Sequence, residues 1–348
     1  MRNFQDHILT EQATISEALT RLNHIAPDSI LFISNESKVL IRSLTDGDIR
    51  RGLIKGLNTD NSILDFAKEN PRYLLKGDYN FQDIMELRNL GIMIVPVLNT
   101  EWQIVNVVNF RHFSSYLPID VVIMAGGRGA RLSPLTDSKP KPLLSVGDKP
   151  IIEHNIDRLR KYGVDDFWIS VRYLGEQIED YFSDGSSRGI QVKYIWEDEP
   201  LGTIGAISKV NNFVHDTVLV TNSDLLTDLD YEKFFVHFEE QEADLSIVSI
   251  PYQVNVPYAV LELENGQVQS FKEKPSYTYY SNGGIYLIKK KALELIPKNT
   301  FYNATDLMET MIRKGMKVVS YPLRGYWLDV GKPDDFKKAN EDIEYLKD

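Results

Sequence analysis

Residues 123–136 read IMAGGRGARLSPLT, a short apolar run followed by three glycines and two arginines. A glycine-rich turn at the carboxyl end of a strand is where an open α/β sheet holds a phosphorylated ligand, so this stretch decides how most of the chain is read. Two familiar fingerprints do not fit it. A dinucleotide loop needs G-x-G-x-x-G, whose third glycine lets helix and strand pack closely, and from Gly127 the chain places Leu132 there. A Walker loop needs G-x-x-x-x-G-K-[ST], and that spacing is absent. The loop still suits phosphate. Gly126, Gly127 and Gly129 permit positive φ, so that successive N–H groups can turn inward as an anion nest. Arg131 adds a planar cationic fork. KPKPLL at 139–144 follows, and its prolines hold the backbone extended with Lys139 and Lys141 close to the arginines. A plain βα turn with solvated charges competes while the glycines stand alone; Arg131 and the lysines tip the reading to phosphate.

Outward from the loop, strand-like and helix-like runs alternate: VVIMA, IIEHNIDRLRKYG, DFWISVRY, LGEQIEDYF, VKYIWE, LGTIGAISKVNNF and TVLVTN. Such alternation predicts an α/β domain with a mostly parallel sheet covered by helices. The order then relaxes into hairpin-like strands over 245–275, a strand GGIYLI at 283–288, a helix over 304–315 and a last helix after Pro333.

Before the loop the pattern differs. TISEALTRLNHI at 14–25 sets Ile15, Ala18, Leu19 and Leu22 on one helical face, ILFIS at 30–34 reads as a strand, and 39–57 read as strand, turn capped by Thr45 or Asp46, and helix. The order recurs in NFQDIMELRNLGI at 80–92, IVPVL at 94–98 and IVNVVNFRHF at 104–113. An α-β-β-α unit occurring twice implies one pseudo-symmetric module. SSYLPID at 114–120 breaks the pattern with Pro118, placing domains at 1–117 and 119–348.

The length of 348 residues agrees with two domains of roughly 150 residues each. The composition, 43% hydrophobic and 26% charged, is that of a globular protein. A net charge of -11 argues against nucleic acid, whose binding rests on many lysine and arginine contacts to phosphate. With no cysteine, disulfides, thiolate metal sites and a cysteine nucleophile are excluded. MRNFQDHILTEQATISEAL lacks a signal-peptide core, and no run approaches the roughly 18 apolar residues of a membrane span. The cytoplasm is the default compartment.

The run AGGRGARLSPLTDSKPKPLLSVGDKPIIEH closely resembles the signature of the sugar-1-phosphate nucleotidyltransferases, which make NDP-sugars from a nucleoside triphosphate and a sugar 1-phosphate. EPLGTIGAI at 199–207, VTNSDLL at 220–226, FKEKP at 271–275, NGGIYLI at 282–288 and GYWLDVGKPDDF at 325–336 match further family segments in order. The resemblance implies a Rossmann-like, GT-A-type domain and in-line attack of a sugar phosphate on the α-phosphorus, with pyrophosphate released. It further implies Mg²⁺ held by Asp224 and Asp329, with Arg131, Lys141 and Asp224 as the catalytic groups. The triphosphate and base would lie against Ala125, Gly126, Gly127, Gly129, Arg131, Lys141, Glu199, Gly202 and Thr203. The sugar phosphate would meet Asn222, Glu273, Lys274, Asn282 and Gly283. The EPLGTIG run with Glu199 resembles the guanylyltransferases, so GTP and a GDP-hexose, GDP-hexosamine or GDP-heptose are favoured over the uridylyl and thymidylyl branches. Two departures stand out: Ala130 where a threonine or serine is usual, and Ala259 where a glycine is usual near the sugar.

LTDGDIRRGL resembles the end of a cystathionine-β-synthase (CBS) motif, and the doubled α-β-β-α unit resembles a tandem CBS pair. In that family Thr45 and Asp48 would hold a nucleotide, an adenine nucleotide being the candidate ligand; Asn109 and His112 depart from the motif in the second copy. Nucleotide sensing and a dimerisation scaffold both remain open, and either implies a homodimer or higher homo-oligomer. Two other classes compete for the whole chain. A non-catalytic sensor is disfavoured by the paired aspartates, and a dinucleotide-dependent oxidoreductase by Leu132.

Overall fold

The computed structural model describes residues 4–346 and divides into two compact units, Met1–Pro118 with Lys161–Gly163, and Ile119–Arg160 with Val164–Asp348. No helix among the described residues is long and apolar enough to cross a membrane.

In the first unit a parallel strand pair followed by an antiparallel hairpin occurs twice. Ile8–Thr10, Ile30–Ser34 and Leu40–Thr45 form one set, joined at the far edge by Lys68–Glu69. Leu74–Leu75, Ile94–Leu98 and Ile104–Asn109 form the other. The hairpins meet reciprocally: Leu40 N–H donates to Trp102 O and Ile104 N–H to Lys38 O, both at 3.1 Å. Phe32 packs in one apolar cluster with Ile94, Leu98, Ile104 and Val107, so the two halves share a core. Helix Ile15–His24 starts at a Thr14–Glu17 capping box and buries Ile15, Ala18 and Leu22. Leu19, expected on that face, is 40% exposed. Helix Asp46–Ile54 closes the first copy. The second copy lacks its counterpart, because the chain turns at Asn109, whose carbonyl accepts from the N–H groups of His112 and Phe113.

The second unit is built on a seven-stranded sheet in the order Gln191–Trp196, Asp166–Val171, Asp120–Met124, Thr217–Asn222, Ser276–Lys289, Leu245–Asn255, Val318–Pro322. Only Ser276–Lys289 runs antiparallel to its neighbours, so the sheet is mostly parallel. Val121, Val122 and Ile123 are fully buried, as expected of a central strand covered on both faces.

Two elements differ from the sequence reading. LGTIGAISKVNNF, expected to be helical, holds only a 3₁₀ turn at Gly205–Lys209. Gly202 has φ +78°, and a Cβ there would lie 2.6 Å from Tyr302 O. Tyr302 O accepts from both Ile204 and Gly205 N–H, so the segment bonds a neighbouring loop instead of itself. Conversely, an unanticipated helix, Tyr231–Glu240, is capped by Asp230 and buries Tyr231, Phe234, Phe235 and Phe238 at the i, i+3, i+4, i+7 spacing.

Leu245–Asn255 and Ser276–Lys289 run on beyond the sheet as a two-stranded arm, paired from Pro251 opposite Tyr280 to Asn255 opposite Ser276. A second hairpin, Val260–Glu264 with Gln267–Lys272, tips it.

Candidate active site

The glycine loop leaves the carboxyl end of the central strand Asp120–Met124. Ala125 N–H still donates to Ser170 O, 2.9 Å away on the next strand, and the chain then turns through Gly126–Gly129 into a single 3₁₀ turn, Ala130–Leu132. Buried Leu132 anchors that turn, and Thr136 Oγ1 donates to Gly129 O at 3.0 Å. Gly129 is at φ +64°, and a Cβ there would fall 2.9 Å from Lys141 Cβ. The loop and the KPKP segment can therefore stack only if position 129 has no side chain. Lys141, in a 3₁₀ turn after Pro140, is only 8% exposed.

The acidic half arises from pairing distant in sequence. Just beyond strand Thr217–Asn222, the short strand Leu225–Thr227 pairs antiparallel with Trp327–Asp329, and Leu225 stands opposite Asp329. Val330 N–H donates to Asp224 O at 3.0 Å, fixing the two aspartates side by side. Lys141 Nζ donates to Asp224 Oδ2 and lies 3.8 Å from Asp329 Oδ1. The Arg131 guanidinium packs on Gly331, two residues past Asp329. Burial and then the nearby charge of Asp224 raise the Asp329 pKa, while Lys141 and Arg131 oppose the rise.

Asp224 Oδ1 and Asp329 Oδ1 are buried without a hydrogen-bond partner. Two adjacent carboxylates with unsatisfied oxygens are chemically suited to a hard divalent cation, which takes one or two carboxylates and completes its shell with phosphate oxygens and water.

Arg131 and Lys141 border a cleft of about 440 Å³, which is also walled by Arg172, Glu197, Phe301, the Leu201–Thr203 stretch and Asn222–Asp224. Of the expected triphosphate and base residues, Ala125, Gly126, Gly127, Gly129, Arg131, Lys141, Gly202 and Thr203 line it. The Thr203 hydroxyl accepts from Ala304 N–H at 2.9 Å, an end-cap on helix Ala304–Arg313. Glu199 is exposed and is not among the described residues of the wall. The acid inside is Glu197, 7% exposed, whose Oε1 accepts from the Ser170 hydroxyl at 2.5 Å and Oε2 from Leu201 N–H at 3.0 Å. Glu197 is the first residue past the apolar strand Gln191–Trp196, and counting from that strand end would have found it. Arg172 follows strand Asp166–Val171 in the same way.

Of the residues expected to hold the sugar phosphate, Asn222, Asn282 and Gly283 lie on two directly paired strands, with the Asn222 amide against Gly284, while Glu273 and Lys274 do not line the cleft. Asn222 lines the cleft. Asn282 Oδ1 accepts from Gly284 N–H at 2.8 Å and from the Tyr286 hydroxyl at 2.9 Å, and Gly283 O accepts from the Trp327 indole at 2.9 Å. Glu273 and Lys274 are exposed on the arm. In the first unit, Thr45 and Asp48 bond each other: the Thr45 hydroxyl donates to Asp48 Oδ2 at 2.5 Å, and Asp48 N–H donates back at 3.1 Å. Burial acts against the Asp48 carboxylate, but its bonds to Thr45 and Arg51 outweigh that and lower its pKa.

A mostly parallel sheet with a glycine loop, two cations and two carboxylates at its carboxyl edge defines an α/β domain built to hold a phosphorylated ligand. The chain belongs to the nucleotidyl transferase family, whose profile matches residues 120–345. It is 30% identical over 238 residues to the UTP–glucose-1-phosphate uridylyltransferase of Synechocystis sp., covering 63% of this chain and 61% of that protein. It is likewise 30% identical over 231 residues to the D-glycero-alpha-D-manno-heptose 1-phosphate guanylyltransferase of Aneurinibacillus thermoaerophilus, covering 65% of this chain and 99% of that protein. HddC from Yersinia pseudotuberculosis, crystallised with GMP-PN, superposes with a TM-score of 0.50 at 28% identity, covering 65% of this chain and 99% of that one. The chain spans 55–64% of the length of several curated relatives that it matches.

Proposed function

We propose that the second unit transfers a guanylyl group from GTP to a sugar 1-phosphate, giving a GDP-sugar and pyrophosphate. The observation that carries this reading is the convergence of Arg131, Lys141 and Asp224 on one cleft behind a glycine loop, with Asp329 beside Lys141. A sugar-phosphate oxygen forms a bond to the α-phosphorus, and the bond to the bridging oxygen of pyrophosphate breaks. Such a transfer needs alignment and charge neutralisation more than a protein nucleophile. Asp224 and Asp329 would hold a divalent cation, Mg²⁺ by the chemistry of the set, which when bound neutralises phosphate oxygens. Lys141 and Arg131 neutralise charge on the leaving pyrophosphate, and the loop N–H groups seat its oxygens. Glu197 takes the base-reading role given to Glu199 by the sequence: guanine presents two adjacent donors, its ring imino and exocyclic amino groups, which a carboxylate accepts well. The heptose-phosphate relative and the EPLGTIG run at 199–205 support guanine, and a hexose, hexosamine or heptose 1-phosphate is the acceptor class.

Residues 1–117 read as a CBS-type module, and residues 119–348 as the nucleotidyltransferase domain. Thr45 and Asp48 satisfy each other as a helix cap, which supports a scaffold over an adenine-nucleotide site. The whole reads as a cytoplasmic homo-oligomer acting on soluble substrates, with neither nucleic acid nor membrane as partner.

Pyrophosphate release measured over the four common nucleoside triphosphates and a panel of hexose, hexosamine and heptose 1-phosphates, with and without Mg²⁺, tests the proposal. GTP should be turned over fastest, with a metal requirement. No turnover with any pair would sink the enzyme reading, and fastest turnover with UTP or dTTP would move it to another branch.

A further inference from the structure

Among the described residues three cations line the cleft, Arg131, Lys141 and Arg172, and the transfer uses only the first two. Arg172 is half-buried, and among the described residues its guanidinium forms no hydrogen bond, ion pair or ring contact. A planar fork of donors with no acceptor of its own, held in a cleft wall, is matched to a group that enters the cleft.

Its place in the sheet narrows that group. Strands Asp166–Val171 and Gln191–Trp196 are adjacent and parallel with Val171 opposite Trp196, so Arg172 and Glu197 leave the sheet at the same level. Glu197 N–H donates to Val171 O at 3.0 Å, which ties the two strand ends together. Both residues flank Gly126: a Cβ there would stand 2.6 Å from Glu197 Oε1 and 3.5 Å from Arg172 Cβ. Asp224, which pairs with Lys141, follows the strand two places further along the sheet, about 10 Å away at roughly 4.8 Å per strand. Arg172 therefore stands at the Glu197 end of the cleft, away from the carboxylates suited to a metal.

A carboxylate and a guanidinium side by side, with no ion pair between them, offer acceptors and then donors along one line. Each Glu197 oxygen already accepts one bond, from Ser170 or Leu201, and keeps a second lone pair. Guanine presents the complement on one continuous edge: its ring imino and exocyclic amino groups donate, and O6 and N7 beside them accept. Adenine places an amino donor where guanine has O6, and a pyrimidine has no N7. We infer that Arg172 is a second base-reading residue, whose guanidinium donates to O6 and N7 of guanine while Glu197 accepts from the imino and amino groups. The inference rests on the guanylyl reading under Proposed function and extends it from one edge of the base to two.

Calorimetric binding of nucleotides to the full chain, with Mg²⁺ and without a sugar phosphate, tests this with no turnover. 7-Deaza-GTP carries a C–H in place of N7 and keeps every other group of GTP. Wild type should bind it about ten-fold more weakly than GTP, within the discrimination a forked arginine gives at a guanine edge. In Arg172→Met, GTP affinity should fall by about ten-fold or more, and the two nucleotides should bind alike. A residue that only supports the wall would weaken both and leave their ratio intact, so loss of the ratio is the signature of base contact. Equal binding of GTP and 7-deaza-GTP by wild type overturns the inference, as does a ratio that survives in Arg172→Met. Equal losses for GTP, ATP and UTP in Arg172→Met would assign Arg172 to phosphate and overturn it too. Wild type that binds UTP more tightly than GTP would sink the guanylyl reading and this inference together, whereas a GTP preference with no penalty for 7-deaza-GTP sinks the role of Arg172 alone. The wild-type comparison needs no substitution, so it decides even if Arg172→Met fails to fold.

Discussion

Lys141 bonds Asp224 and lies 3.8 Å from Asp329, so that one ammonium stands beside two carboxylates far apart in sequence. Lys141 also packs against Gly129 of the loop, whose absent side chain leaves room for the lysine stem. A cation at this point and a divalent ion held by the aspartates would divide the charge of a triphosphate between them.

Asp224→Asn keeps shape and volume but removes the charge of the central carboxylate. Turnover should fall by about 10²–10³-fold or more, the scale of losing one preorganised electrostatic contact. Calorimetric titration with Mg²⁺ or Mn²⁺ should lose its high-affinity phase, while the thermal midpoint stays near that of wild type. Retained turnover would remove Asp224 from the metal site.

Asp329 gives a pH dependence of definite sign. Its pKa is raised in the folded chain above the ordinary 3.8, by burial first and Asp224 second. The folded state therefore holds the proton longer than the unfolded chain, and stability is lost as pH rises from below 3.8 through the folded value. Asp329→Asn should flatten that fall in denaturation curves taken from acid to neutral pH. Turnover should move the opposite way in wild type, declining as acid protonates the carboxylate that a cation requires. A substituted chain with the wild-type stability profile would refute the assignment.

Gly129→Ala meets two obstacles at once, a left-handed φ of +64° and Lys141 Cβ at 2.9 Å. The backbone term alone costs about 1–2 kcal/mol. Urea denaturation should show at least that loss, and triphosphate binding should weaken because the loop or Lys141 must shift. Gly127→Ala has open space around its Cβ and a φ outside the left-handed region, so it should be milder in stability.

Thr45→Ala should cost about 1 kcal/mol, the usual worth of a helix N-cap. If Thr45 and Asp48 act as a cap alone, AMP, ADP and ATP should leave the thermal midpoint of wild type unchanged. A rise with any of them would restore the nucleotide-sensing reading of the first unit.

Much of this site was legible because its chemistry sits at strand ends. The loop after VVIMA and Asp224, two residues past TVLVTN, both follow the carboxyl end of a strand, where an α/β sheet exposes its ligands. What pattern could not reach was tertiary. LGTIGAISKVNNF has helix-like apolar spacing, but the Tyr302 carbonyl captures its N–H groups. FKEKP straddles the end of strand Gln267–Lys272, and nothing in its alternation says where Glu273 and Lys274 stand. Asn282 matches a sugar-contacting motif, yet its amide oxygen is occupied by Gly284 and Tyr286.

The two glutamates of WEDEP, Glu197 and Glu199, are not separable by motif, and the fold separates them by burial. Glu197 lies in the cleft wall, held by Ser170 and Leu201, whereas Glu199 faces solvent. A held carboxylate in a water-poor wall can discriminate between bases because a mismatched group opposite it leaves a buried acceptor unpaired, at about 1–3 kcal/mol. Glu197→Gln replaces part of that acceptor with a donor. The ratio of kcat/KM for GTP over UTP should fall by about ten-fold or more, each 1.4 kcal/mol being ten-fold. Glu199→Gln should leave the ratio unchanged. Because the Glu197 substitution also disturbs the Ser170 bond, Ser170→Ala serves as the control: it keeps the carboxylate and should lower stability with a much smaller effect on the ratio. Equal loss of turnover with both bases in Glu197→Gln would show that the residue supports the wall without reading the base.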